Sequence, residues 1–274
     1  MRQPRSALVS TLVLASVCVV LAQPPALPPE WFPNRAPSRD AQAVSFCEDP
    51  RDPAHAVDRA IAEAVASALL VEPRVHVVER QVASELEYEG LYVDLIDHCA
   101  LYLGFKLYAD TYPGWLVLTR PYYEARFVVL TNNPDWRALE EVPRDVRIGA
   151  VQGSMGDIRF ITLNNARPAA ERWPRSPVGR PERAFDALLN GVVGALIVWE
   201  PWWWYLSQQR PELAGLRVLD APAISEPWIG VGGVTLADRT FVRTQVDEAI
   251  AALAQNGVIA EILEGFGFPA RPAR

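Results

Sequence analysis

Apolar positions set the reading frame of this chain. In "AVDRAIAEAVASALLVEP", Val57, Ile61, Val65 and Leu69 recur at helical spacing; Asp52 or Asp58 starts that helix and Pro73 ends it. The preceding "AVSFCEDP" alternates as a short strand stopping at Asp49-Pro50, and "RVHVVER" after the helix alternates again. Strand, helix and strand in that order predict a crossover between parallel neighbours. "YVDLIDHCALYLGFKLYA" fits two patterns, a strand followed by an irregular loop or a helix ending at Gly104 before a strand. "ARFVVLTN", "DVRIGAVQ", "VGALIVW", "LRVLDAP" and "WIGVGGVTL" read as strands. "PERAFDALLNG" reads as a helix with Pro181 near its start and Gly191 just past its end. "TFVRTQVDEAIAALAQNG" sets Val242, Val246, Ile250 and Leu253 on one helical face, and "VIAEILEGFG" is a second, short helix. No internal repeat is visible. The alternation predicts an α/β fold with mostly parallel sheets flanked by helices.

The N-terminus predicts export. Arg2 and Arg5 precede an apolar run, Ala7 to Leu21, that is shorter than the roughly 20 residues of a spanning helix. Val20-Leu21-Ala22 then offers small residues at cleavage spacing, the layout of a signal peptide over residues 1–22. An uncleaved anchor is the competing reading; lipidation at Cys18 is disfavoured by Val17 before it. Residues 23–43 are proline-rich without apolar periodicity and read as an extended lead-in, with Trp31 and Phe32 as docking candidates. The expected location is the periplasm.

Losing Arg2 and Arg5 leaves 24 basic against 33 acidic residues, which argues against nucleic acid and anionic lipid as partners. Removal of Cys18 leaves Cys47 and Cys99, read first as a disulfide in an exported chain and otherwise as two buried thiols. No metal site is expected: CxxC and HExxH are absent, and His55, His76 and His98 are far apart in sequence. No serine has an evident histidine partner and the GxSxG elbow is missing, so an enzyme is not expected, and neither is a cofactor.

Four stretches carry a resemblance. "TRPYYEARFVVLTN", "IGAVQGSMGDI", "AFDALLNGVVGALIVWEPWWWYL" and "FVRTQVDEAIAALAQNGVIAEILEGFGFP" resemble, in order and spacing, the amino-acid-binding branch of the type II periplasmic binding fold, solute-binding protein family 3. The resemblance implies two lobes: residues 44–124 for the first part of lobe one, 125–222 for lobe two and 223–274 for the return. More narrowly, "FCEDP", "VDLID", "TRPYY" and "ALIVW" followed by x-P are similar to the MoxJ (MxaJ) family. That similarity implies help in maturing a methanol dehydrogenase, an enzyme with pyrroloquinoline quinone and a metal centre, by contact with its subunits. The other reading the fold implies is a receptor of an ABC transporter for a small polar or aromatic solute. After "FCEDP" this chain has "RDPAHAVDRA" where MoxJ proteins show an "NNLPFSN"-like loop, so no ligand residue is carried over there.

A receptor for free amino acids must pair a carboxylate and an ammonium in a closing cleft, since burying either alone costs several kcal/mol, at the order of magnitude. The resemblance implies an arginine several residues before Tyr122-Tyr123, but "YADTYPGWLVLT" contains none, and Arg120 beside Pro121 points either way. Glu200 sits near the acid position. Gly153 and Ser154, in "GAVQGSMGD", form either an anion cradle at a helix start or a plain turn. Trp199, Trp202, Trp203 and Trp204 fall within six residues. On a helix Trp199 and Trp203 would share a face while Trp202 and Trp204 diverge, leaving some indole area exposed. A partner-docking surface, packing between the lobes, a cleft lining and plain core are the competing readings, the first favoured by the use of tryptophan as an interface anchor.

Overall fold

The computed structural model describes residues 42–79, 88–108 and 112–273, with nothing stated of the Glu89 side chain. The signal segment and most of the lead-in, including Trp31 and Phe32, lie outside the described residues. In chain order the elements are β1 (Ala43–Glu48), α1 (His55–Ala68), β2 (Glu72–Val77), α2 (Tyr88–Asp97), β3 (Leu101–Lys106), β4 (Leu116–Leu118) and β5 (Tyr123–Ala125). They continue with β6 (Phe127–Thr131), β7 (Ile148–Val151), α3 (Met155–Asn165), β8 (Arg175–Val178), α4 (Pro181–Leu189), β9 (Ala195–Trp199), α5 (Glu200–Ser207), β10 (Arg217–Leu219) and α6 (Pro222–Ser225). β11 (Ile229–Leu236), α7 (Thr240–Gln255), α8 (Val258–Gly265) and β12 (Arg271–Pro272) complete the series.

Two sheets organise the molecule. One runs β12-β5-β11-β3-β1-β2, with β4 also on β11; the other runs β10-β6-β9-β7-β8. The expected parallel pairing is found in β2-β1-β3 and in β8-β7-β9. Antiparallel strands extend each sheet where the chain crosses between lobes: β5 leaves one sheet and β6 enters the other after Arg126 alone, and β11 returns beside β3, β4 and β5. β6 is buried on both faces, as a central strand packed on both sides must be.

Residues 88–106 resolve to helix and then strand, with the helix ending at Asp97 and Gly104 lying inside β3. Gly104 has φ +78, and a Cβ there would lie 3.0 Å from an Asp58 carboxylate oxygen, so glycine answers both the backbone and the close approach. α1 ends at Ala68 rather than at Pro73, because Leu70 turns the chain with φ +58. Pro73 instead lies within β2, on the edge of the sheet, where a strand tolerates a missing N–H.

Cys47 and Cys99 form a disulfide with Cα atoms 5.5 Å apart, tying β1 to the turn before β3. Both are buried. One apolar cluster runs from Val57, Ile61 and Val65 of α1 through Phe46, Leu101, Tyr122, Tyr123 and Phe127 to Ile148, Phe160, Trp173 and Trp199. It belongs to both sheets. A second, with Val128, Leu130, Phe185, Leu188, Val198 and Leu213, covers the other side of the five-stranded sheet.

Candidate functional site

The C-terminal ends of β1, β3, β7 and β9 carry the candidate chemistry. Crevices outside the carboxyl ends of parallel strands are where α/β proteins bind ligands.

On the five-stranded side, β7 runs into Gly153 (φ +75) and Ser154, which caps α3: its hydroxyl accepts the Asp157 N–H at 3.2 Å. The buried Asp157 carboxylate accepts the Gly153 N–H at 3.0 Å and two bonds from Arg175, at 2.6 Å (Nε) and 2.5 Å (Nη2). A carboxylate of the chain itself therefore occupies the start of this helix. The spacing Ser154-x-x-Asp157 is a capping signature that was readable in the sequence; Arg175, eighteen residues further on, left no signal.

β9 ends at Trp199, whose ring lies 5.0 Å from that of Phe127. Trp199 is thus a strand residue, and the helical face it would share with Trp203 does not exist. The ladder of β9 on β6 extends to Phe127–Trp199, and the Glu200 N–H bonds the Arg126 carbonyl, so α5 begins only at Glu200. The buried Glu200 carboxylate accepts Arg126 Nε at 2.9 Å. Arg126 lies between the two sheets, and its guanidinium also sits over the Trp228 ring, 4.9 Å from the centroid. Lys106, at the end of β3, places Nζ 5.5 Å from the Trp199 ring centre.

The three tryptophans of α5 diverge, and each is half-buried. Trp202 packs against both apolar clusters. Trp203 donates from Nε1 to the Leu213 carbonyl at 3.0 Å. Trp204 meets Phe268 edge-on at 4.9 Å. Trp203, Trp204, Ser207, Gln208, Ala214 and Pro269 line a shallow depression of about 350 Å³.

On the seven-stranded side the candidates Tyr122 and Tyr123 are buried rather than open to a ligand, and Tyr122 meets Asp58, a residue the sequence offers only as a helix start. Asp58 is buried on α1 and accepts the Tyr122 hydroxyl at 2.9 Å. Tyr122 in turn accepts the Gly104 N–H at 2.9 Å. Tyr122 and Tyr123 are both buried, and the Tyr122 hydroxyl ties α1 to the start of β5. Their neighbour Arg120 is exposed; its backbone N–H donates to Asp247 at 2.6 Å, and its guanidinium forms no hydrogen bond or ion pair among the described residues. A charged residue inside the apolar stripe of α1 was the signal for Asp58. His76 and His98, distant in sequence, stack with ring centres 4.1 Å apart. Among the described residues, no group of three or more His, Cys, Asp or Glu is arranged for a metal.

Burial, reinforced by the charge of Asp52, holds the Asp58 carboxyl well above its ordinary 3.8. Between 3.8 and that raised value the folded chain binds a proton that the unfolded chain has lost, so stability falls as pH rises through this window. Asp58→Asn removes the titrating group and flattens that slope. Urea midpoints measured from pH 4 to pH 8 check it; an unchanged slope in the variant would assign the pH dependence elsewhere.

No protein-family model matches this chain, and no curated protein matches it. Solved structures do. The chain has the type II periplasmic binding fold, two α/β lobes joined by crossing strands. It is similar to the GluR0 ligand-binding core in complex with L-glutamate, at 14% identity and TM-score 0.60, over 83% of this chain and 99% of that one. It is similar to the substrate-binding protein of an amino acid ABC transporter, at 15% identity and TM-score 0.57, over 82% and 98%. An ancestral arginine-binding protein bound to arginine aligns at 15% identity and TM-score 0.56, over 82% and 98%.

Proposed function

We propose that this chain is a non-catalytic, exported binding protein of the solute-receptor type, whose ligand is a small polar or aromatic solute other than a free α-amino acid. On this reading lobe one comprises residues 44–124 and 223–274, lobe two comprises 125–222, and Trp199 with the Gly153-Ser154 turn faces the ligand. The observation that carries it is the internal pairing of both halves of an amino-acid clamp. The Gly153 N–H is taken by Asp157, and Glu200, the candidate ammonium partner, is neutralised by Arg126. A ligand zwitterion would have to displace Arg126 from Glu200 for its ammonium, and its carboxylate would meet the Asp157 carboxylate already seated at the Gly153 N–H. Calorimetric titration with the twenty common amino acids is expected to show no binding. A micromolar dissociation constant for any of them, about 8 kcal/mol of binding, would sink this reading. Native mass spectrometry of the protein purified without denaturation then looks for the bound solute.

A second reading is favoured by the same internal pairing together with the resemblance to the MoxJ family: support of a periplasmic methanol dehydrogenase by protein contact, with no solute at all. The depression beside Trp203 and Trp204 is the docking candidate. Co-purification with dehydrogenase subunits, lost in Trp203→Ala with the fold intact, separates it from the first reading.

A further inference from the structure

A receptor with this fold ordinarily opens and closes about its crossing strands, and a ligand shifts the balance by binding the closed form better. Here the chain supplies the closing contacts itself. α5 belongs to the lobe of β6–β10, yet its Trp204 packs edge-on against Phe268, which follows α8, at 4.9 Å. Phe268 rests on Tyr123 of β5 at 5.2 Å. One position along α5, Tyr205 meets His55, the first residue of α1, with ring centres 6.4 Å apart. Across the cleft, Lys106 Nζ of one lobe lies over Trp199 of the other at 5.5 Å. The crossing strands are stiffened too: the guanidiniums of Arg126 and Arg271 lie over Trp228 at 4.9 and 4.4 Å, and each holds a carboxylate, Glu200 at 2.9 Å and Glu124 at 2.7 Å. Arg159 of α3 donates to the Ile224 and Pro227 carbonyls of the returning crossover at 2.7 and 2.9 Å.

We infer that α5 is an intramolecular clasp that keeps the two lobes shut without ligand, so that binding is not coupled to lobe closure. Opening would strip aromatic surface at Trp204, Tyr205 and Trp199 from the opposite lobe in a single motion, and no ligand is needed to balance that loss. The inference rests on the two-lobed fold and not on which solute or partner is bound.

The test measures the distance between spin labels on exposed positions of the two lobes, Ser67→Cys on α1 and Arg183→Cys on α4, with the native disulfide intact. The unliganded chain is expected to give one narrow distribution that a mixture of the twenty amino acids leaves unchanged. The additional pair His55→Ala and Trp204→Ala is expected to broaden it toward longer distances, with circular dichroism unchanged. A bimodal or broad distribution in the otherwise native chain overturns the inference, as does a folded clasp variant that matches it. Should Trp204→Ala not fold, Phe268→Leu probes the same contact from the other lobe, with the same two outcomes.

Discussion

Removing the Cys47–Cys99 cystine lowers the unfolding free energy by about 4 kcal/mol. The bridge spans 52 residues, and closing a loop of that length restricts the unfolded chain by roughly this amount. The closed segment contains α1, β2 and α2, so without the bridge these elements are fixed to β1 and β3 only by pairing and packing. The comparison is between the chain from Gln23 onward and its Cys47→Ala, Cys99→Ala double variant, by guanidinium chloride unfolding at pH 7. The midpoint falls; a change in slope alongside it would report a less compact unfolded state. Alkylation of the denatured, unreduced chain from Gln23 onward labels neither Cys47 nor Cys99. Coincident unfolding curves would mean that the cross-link constrains nothing the fold does not already hold.

Asp157→Ala has the second large effect, about 3 kcal/mol, the lower end of the range for breaking a buried pair, because the Arg175 side chain retains 30% exposure and regains water. Three donors lose their acceptor at once: the Gly153 N–H and both Arg175 nitrogens. Asp157→Asn keeps one acceptor oxygen but loses the charge and turns an amide donor toward donors, so it falls between the alanine variant and the native chain. Chemical denaturation of the three proteins checks the order. A loss below about 1 kcal/mol in the alanine variant would match an exposed ion pair and deny the carboxylate its structural role. The alanine variant also vacates a helix start beside an arginine, so a simple carboxylate such as acetate is expected to stabilise it more than it stabilises the native chain.

Most of this architecture was legible from periodicity. α4, α7 and α8 stand where apolar spacing and the Pro181 and Gly191 punctuation put them, since those helices bury one regular face. The segment 88–106 was ambiguous because a short helix followed at once by a buried strand leaves no polar gap between two periods. α1 stops short of Pro73 because Leu70 adopts a left-handed turn, a conformation that favours glycine and asparagine and that a leucine does not announce. The site was legible only where its partners are neighbours in sequence, as Ser154 and Asp157 are. Arg126 with Glu200 lies 74 residues apart, Asp58 with Tyr122 lies 64 apart, and nothing local marks such pairs. A run of tryptophans predicts some exposed indole area. The fold gives each indole a neighbour while leaving it half-exposed: both clusters for Trp202, Leu213 for Trp203 and Phe268 for Trp204.

The position of β11 governs the order in which the molecule can be finished. The five-stranded sheet is drawn wholly from residues 127–219, a continuous stretch that closes on itself. The other sheet cannot: β3, β4 and β5 all take their partner from residues 229–236, more than a hundred positions downstream of β3. As the chain emerges from its N-terminus, β1, β2 and β3 can assemble early. The far edge of β3 and the strands leading to the crossover then wait, unpaired, while an entire lobe is made. Distant partners of this kind slow folding and leave sheet edges open to wrong pairing. The early half of lobe one is thus the part of this protein most in need of protection before it is complete.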